Sequence, residues 1–285
     1  MPELPEVEIV RRQLEPLLVG STVTATRSNH YIFPKFPCGT ITRVWRHGKW
    51  IIFRMEDRSA VMINLGMSGR FVVGGKRPKH VRWEIKFRPH LGKAALHLQY
   101  VDPRCMGRLR LLTAAEAEHI GNSRASACGA WAFGLGVDAL SLKLAPNHAE
   151  RGIRVWRSAL ENTSIPIKRA LMDQSRVAGL GNIYAAEACW LAKVHPDRPA
   201  NKLTVRELNA LATKVQPMLR ASISMGGTSF GDANSYRDMH GVEGKNVSSL
   251  HVYGRVGQRC LRCKSNITSY KQGSRTTFYC PGCQK

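Results

Sequence analysis

Two stretches of this chain carry residues whose type and spacing imply chemistry: four cysteines near its end and an acidic, proline-bearing start. Cys260-x2-Cys263-x16-Cys280-x2-Cys283 sets two thiol pairs sixteen residues apart. Each C-x2-C turn aims two thiolates at one tetrahedral ion, and four thiolates leave no position open for water. The expected ligand is one structural zinc ion that folds a small module and takes no part in a reaction. The rival reading is a pair of disulfides. Cys38, Cys105, Cys128 and Cys189 are scattered singly, a usage that suits a reducing compartment and a metal, and points to the cytoplasm. The spacer suits a β-hairpin, because residues 267–270 and 276–279 alternate in polarity, and its basic tip would offer Arg275 to a phosphate.

The start reads Pro2-Glu3-Leu4-Pro5-Glu6. A proline after Met1 permits removal of the methionine, which exposes a secondary amine. An α-amino group has a pKa of about 7.7–8.0, so about a tenth of it is neutral at pH 7, whereas a lysine is neutral only about once in two thousand. Pro2 is therefore a usable nucleophile, with a neighbouring carboxylate to shuttle protons. Glu6 lies one turn beyond Glu3, near a helix N-terminus that favours an anion. The rival reading makes both acids ordinary helix caps.

The elements that must position these groups fall into two halves. Val7, Val10, Leu14, Leu17 and Leu18 make one apolar helical stripe, closed by Gly20. Short β-rich runs follow at 22–27, 41–46, 50–55, 60–65, 81–87 and 95–101, separated by turn residues, which indicates an antiparallel sandwich or barrel. Residues 121–136 are rich in Gly, Ala and Ser without a period, and the hinge is placed there, ending near Asn147. The pattern from Glu150 to Met225 is helical, with Pro166 at a first-turn position and Gly179-Leu180-Gly181-Asn182 opening a further helix. That turn offers backbone N–H groups to an anion, and Asn182 adds a donor; the rival is a plain helix–helix turn. The class expected is α+β, with an N-terminal antiparallel β-sandwich carrying an N-terminal helix, a C-terminal helical domain and a β-hairpin zinc finger. The boundaries expected are 1–135, a hinge at 136–147, 148–249 and 250–285.

Composition narrows the partners. The chain has 285 residues, 43% apolar, which excludes wholesale disorder, and no stretch of apolar residues long enough to span a bilayer. The first residues have no basic leader segment, so no secretory signal is expected. Lys and Arg outnumber Asp and Glu by 43 to 20, for a net charge of +23. From Gly244 onward there are eight Lys/Arg and no acid. Nucleic acid is the expected partner, ahead of a membrane surface or a merely basic coat.

The start MPELPEVE, Lys49, Leu65-Gly66-Met67-Ser68-Gly69, Asp102-Pro103-Arg104, Gly179-Leu180-Gly181-Asn182-Ile183-Tyr184-Ala185, His195-Pro196-Asp197-Arg198, Val252-Tyr253-Gly254-Arg255 and the cysteine pairs occur together and in order. This set resembles the bacterial formamidopyrimidine-DNA glycosylases, of the helix–two-turn–helix family that includes endonuclease VIII, over nearly the whole chain. The resemblance implies a bifunctional enzyme of base-excision repair: a glycosylase for 8-oxoguanine and formamidopyrimidines and a lyase at the abasic site. It implies that Pro2 attacks C1′ and forms a Schiff base, that Glu3 protonates the sugar, and that Glu6 holds the deoxyribose. Lys49 would bind a phosphate, and Arg275 would clamp a phosphate and donate a proton during elimination. Met67 would fill the gap left by a flipped base, Arg104 and Met106 would meet the duplex, Lys168 would aid removal of the damaged base, and Asn182 would grip the backbone. A core position for Met67 and a solvated helix face for Lys168 are the rival readings. The implied partner is damaged double-stranded DNA lying in an interdomain cleft, bound by a monomer on the nucleoid, without a nucleotide cofactor.

Three departures bear on specificity. Where the family has Arg then Phe after Asp102-Pro103-Arg104, this chain has Cys105 and Met106. Where it has His before Leu-Gly-Met-Ser-Gly, this chain has Asn64. Residues 228–249, where the family caps the flipped base, carry no readable base code. The alternatives are therefore an abasic-site lyase or a glycosylase with shifted lesion or opposite-base preference, and, as a third class, a non-catalytic reader of damaged DNA.

Overall fold

The computed structural model describes residues 2–31, 33–90, 94–121, 134–140, 149–232 and 235–285. Met1, Cys128 and most of the expected hinge lie outside the described residues. The chain divides by packing into two compact units, Met1–Ser123 with Ile223–Val247, and Arg124–Ser222 with Ser248–Lys285. Residues 223–247, expected within the helical domain, thus pack with the first unit.

In the first unit, helix α1 (Leu4–Leu18) buries the anticipated stripe of Val7, Val10, Leu14 and Leu18. Eight strands follow: β1 (Thr22–Ser28), β2 (Gly39–His47), β3 (Trp50–Met55), β4 (Ala60–Asn64), β5 (Arg70–Val73), β6 (Val81–Arg88), β7 (Leu96–Val101) and β8 (Arg108–Leu112). They run antiparallel in the order β5-β7-β6-β1-β2-β3-β4-β8. The two four-stranded halves are joined by a short β1–β2 pairing, Thr22–Thr40 and Val23–Gly39, extended by backbone bonds of Gly20 and Ser21 to Ile41. That short seam lets the halves fold over a shared core, where Phe36 lies 5.7 Å from both Phe53 of β3 and Trp83 of β6. Strand β6 alternates as expected, with Val81, Trp83, Ile85 and Phe87 buried. Ile51, Ile52 and Phe53 are all buried, because α1 covers the other face of β2 and β3. Helix α2 (Ala114–Gly121) follows the sheet.

The second unit contains helices α3 (Ala149–Leu160), α4 (Ile167–Met172), α5 (Asn182–Ala192) and most of α6 (Val205–Ser224). Pro166 stands just before α4, at its cap, with φ −50°, so its missing N–H costs the helix nothing. Thr204 and Glu207 form a capping box for α6: the Thr204 N–H donates to Glu207 at 2.8 Å and the Glu207 N–H to Thr204 Oγ1 at 3.3 Å. Strands β9 (Val137–Asp138) and β10 (Val177–Ala178) form a two-residue parallel pair. Strands β11 (Thr268–Gln272) and β12 (Arg275–Tyr279) form the expected hairpin between the cysteine pairs. No helix among the described residues is long and apolar enough to cross a membrane.

Candidate active site

Pro2 is buried immediately before α1. The Glu3 N–H donates to Glu6 Oε2 at 2.8 Å, and the Thr228 N–H donates to Glu6 Oε1 at 2.9 Å. Both carboxylates are almost inaccessible, Glu3 at 2% and Glu6 at 1%. The two acids do cap the helix, in a capping box, and the same bonds fix them beside Pro2. The Tyr236 hydroxyl reaches the Glu6 carbonyl at 3.4 Å. Burial, and then the negative charges of Glu6 and Asp238, push its pKa far above the ordinary tyrosine value, so it remains a donor.

Pro2 opens on a cavity of about 490 Å³, whose walls include Met67, Phe71, Pro103, Tyr236, Asp238 and Met239. Its Met67 wall is built by Asp102, which is wholly buried. Asp102 accepts hydrogen bonds from Ser68 Oγ at 2.5 Å and the Gly107 N–H at 2.7 Å, while Ser68 Oγ accepts the Arg104 N–H at 3.3 Å. One carboxylate therefore organises both the Met67 turn and the turn bearing Arg104 and Met106. The Tyr100 hydroxyl donates to the Leu65 carbonyl at 3.1 Å and sits where a Cβ on either Gly69 or Gly107 would collide with it. Burial and the Asp102 charge raise the pKa of that hydroxyl too. Met67 is only half-buried, which sets aside the core reading, while Arg104 is exposed and Met106 is 46% exposed. Cys105 takes the left-handed conformation, with φ 51°, at the end of the turn that its N–H closes on the Asp102 carbonyl. Asn64 links the expected phosphate lysine to this wall: its Nδ2 donates to the Lys49 carbonyl at 3.3 Å and its Oδ1 accepts the Gly66 N–H at 2.9 Å.

In the second unit, Lys168 has no exposed surface, contrary to the solvated-face reading. Its Nζ donates to Asn182 Oδ1 at 2.5 Å and to Thr277 Oγ1 at 2.8 Å, so burial is offset by two hydrogen bonds. Asn182 Nδ2 donates to the Thr276 carbonyl at 3.1 Å. Lys168, Asn182 and the strand beginning at Arg275 are thus brought together, with Arg275 itself exposed at the hairpin tip. The Gly179 turn is held by Gln174, which accepts the Gly179 N–H at 3.0 Å and donates to the Leu180 carbonyl at 2.8 Å.

The Sγ atoms of Cys260, Cys263, Cys280 and Cys283 lie within 4.8 Å of one another. The Cys260–Cys283 and Cys263–Cys280 separations are 3.7 and 3.4 Å, which excludes disulfides. Tetrahedral zinc–thiolate bonds of about 2.3 Å require sulfur separations near these values. Trp190 Nε1 and the Arg262 N–H each donate to Cys260 Sγ at 3.4 Å, the kind of support that orients a thiolate ligand. The module is mounted on α5 by Glu187, which accepts the N–H groups of His251, Val252 and Tyr253.

Three of these supports are not singled out by sequence. Asp102 is visible as part of a signature but not as an organiser of two turns. Tyr236 and Glu187 act on partners 230 and 64–66 positions away, which no local pattern encodes.

The formamidopyrimidine-DNA glycosylase N-terminal domain model matches residues 1–109, the formamidopyrimidine-DNA glycosylase H2TH domain model matches 142–234, and the model of a zinc finger found in FPG and IleRS matches 257–285. With the thiolate cluster, the last match gives the chain one structural zinc ion. The formamidopyrimidine-DNA glycosylase of Herpetosiphon aurantiacus is 33% identical over all of both chains. Two solved structures of the Lactococcus lactis protein are similar. A mutant bound to Fapy-dG-containing DNA has a TM-score of 0.82 and 28% identity over all of both chains. A complex with DNA containing an abasic site has a TM-score of 0.81 and 29% identity, with 99% of each chain covered. The matched domains, the relative aligned from end to end and the shared fold together place the chain in the formamidopyrimidine-DNA glycosylase family, to which it belongs.

Proposed function

We propose that this chain excises oxidised purines, 8-oxoguanine and formamidopyrimidines, from duplex DNA and then cleaves the abasic site, with Pro2 as nucleophile. The observation that carries this reading is the cavity of about 490 Å³ lined by Pro2, the residue immediately before the capped acidic start of α1. Its volume falls within the roughly 300–1,000 Å³ range of ligand sites, and a base must leave the stack before its sugar can be attacked.

Once Met1 is removed, the Pro2 amine attacks C1′, the bond from C1′ to the base breaks, and the base departs. Glu3 protonates the sugar oxygen as the ring opens, leaving an iminium between Pro2 and C1′. Loss of a C2′ proton then expels the 3′ phosphate, and a second elimination expels the 5′ phosphate. Glu6 holds the Glu3 and Thr228 backbone in register around the deoxyribose. Lys49, Asn182 and Arg275 take phosphates, with Arg275 also donating a proton in the elimination. Lys168 supports base removal by fixing Asn182 and the finger hairpin. Met67 fills the vacated stack, being unbranched, apolar and half-exposed on its turn. Arg104 and Met106 contact the duplex. The work is assigned to the cytoplasm, on the nucleoid, by a monomer; residues 1–135 carry the chemistry, 148–249 the DNA grip, and 250–285 the finger, with 136–147 joining them.

The test is borohydride trapping of the Met1-processed protein on duplexes carrying 8-oxoguanine opposite cytosine or a preformed abasic site. A crosslink at Pro2 on both is expected. A crosslink on the abasic duplex alone would reduce the reading to a lyase or to another lesion. Tight binding without any crosslink would leave a non-catalytic reader.

A further inference from the structure

Helix α1 carries a second device, two turns beyond Glu6. Gln13 Nε2 donates to Asp238 Oδ2 at 2.7 Å, and the Met239 N–H donates to Gln13 Oε1 at 3.1 Å. This reciprocal pair spans 225 positions and uses both halves of one amide. Asp238 is in turn the knot of its own turn. Its Oδ1 accepts the N–H groups of His240 at 2.9 Å and Val242 at 2.8 Å, and its N–H donates to the Val242 carbonyl at 3.0 Å. Asp238, Met239, His240 and Gly241 form one wall of the cavity that Pro2 lines. The other end of that wall is tied to the same helix, where Tyr236 meets Glu6. Positions 6 and 13 share a helix face and are about 10 Å apart along the axis. Wall and nucleophile therefore share one support, the wall being tied to α1 at Glu6 and Gln13.

We propose that Gln13 is a positioning residue for damaged-base recognition: it holds the Asp238–Met239 turn against the cavity, so that removal of a base depends on it and chemistry at the sugar does not. This rests on the proposed function and deepens it. Only an amide serves, because it must donate to a carboxylate and accept from a backbone N–H. A glutamate would set two carboxylates against each other, and an alanine would leave both partners unmet.

The experiment compares Gln13→Glu, Gln13→Ala, Asp238→Asn and the double variant Gln13→Glu/Asp238→Asn. Single-turnover rates are read on an 8-oxoguanine duplex and on a preformed abasic duplex. The readout is the ratio of the two rates, which cancels any loss of folded protein. We expect Gln13→Glu to lower the ratio by 10-fold or more and Gln13→Ala to lower it several-fold, with abasic nicking within about twofold of the parent chain. The double variant reverses donor and acceptor: the new amide at position 238 donates to the new carboxylate at position 13, and its oxygen still takes the His240 and Val242 N–H groups. It should recover the ratio to within about threefold. An unchanged ratio in Gln13→Glu, or a double variant no better than either single one, overturns the assignment. A parent chain inactive on both duplexes overturns the functional reading itself, and this inference with it.

Discussion

Asp102 has no exposed surface, and its carboxylate meets donors that differ in how far they can adjust. The Gly107 N–H cannot turn, whereas the Ser68 hydroxyl can. Asp102→Asn should therefore be tolerated, its oxygen kept for Gly107 and its amide turned to Ser68. Asp102→Ala leaves a buried N–H unmet and releases both turns at once. It should cost about 2–4 kcal/mol, read from urea midpoints, and slow base excision more than 10-fold. Cys105 and Met106 belong to the turn that Asp102 holds, and they argue a change in specificity. A guanidinium offers five fixed donors, whereas a thiol offers one weak one and cannot read an orphan cytosine in its place. Excision rates opposite C, A, G and T should lie within about 10-fold of one another, and a strict preference for C would show that idea wrong. At this scale the zinc site was legible, because four cysteines at that spacing name their own role. Lys168 was not, because a lysine's usual place is in solvent and only its partners, Asn182 and Thr277, make burial tolerable.

Elements were legible where local pattern and packing agree. Strand β6 declares itself by alternation, and α1 by its stripe with Pro5 in the first turn. Strand β5 has only four residues between Gly69 and Gly74 and rests on pairing with β7, which follows only after β6. Strand β8, Arg-Leu-Arg-Leu-Leu, alternates at its start but is too short, and too close to the turn before it, to stand out as a strand. The β9–β10 pair joins residues about forty positions apart and has no local signal at all. The seating of α1 is likewise non-local, and it rests on charge. Glu8 bonds Arg11, Arg12 and, from β2, Arg46 at 3.1 Å, with the Arg46 side chain 6% exposed. Burial raises the Glu8 pKa, but the Arg11 hydrogen bond, the Arg46 and Arg11 charges and Arg12 outweigh it, and the net shift is downward from 4.5. A carboxylate with a lowered folded-state pKa lends stability above its unfolded pKa and loses it as pH falls through the folded one. Glu8→Gln should therefore destabilise the protein by about 3 kcal/mol at pH 7, because it strands a buried guanidinium. The gap between variant and parent should shrink as pH falls below 4.5, and urea midpoints at pH 7 and pH 3.5 would measure it. A gap that stayed constant would show that packing, and not charge, seats the helix.

For the whole molecule the governing quantity is its net charge of +23, about a third of which lies beyond Gly244, where eight basic residues meet no acid. Duplex DNA holds condensed counterions, and each phosphate that the protein neutralises releases them, so log affinity should fall with log salt by about 0.9 per phosphate. Contact with about five phosphates would thus give a slope of about −4.5. The finger's share of that slope depends on zinc, because its hairpin is closed by two cysteine pairs that the ion holds together, and its apolar core is a small cluster around Trp190, Val252 and Ile267 with Tyr253 and Phe278 against it. Chelation should unfold residues 250–285 and withdraw Arg275, together with Lys271 of the same hairpin, from the duplex. The salt slope should then become shallower by about one to two units, and the binding that remains should come from the other basic surfaces. Lys168 would lose Thr277 and Asn182 would lose the Thr276 carbonyl, so the helix–two-turn–helix grip should weaken in the same step. Fluorescence anisotropy across a salt series, before and after chelation and after zinc is restored, would measure both effects. A slope and a melting profile indifferent to chelation would remove the finger from the electrostatic account and return its basic tip to the role of a solvated surface.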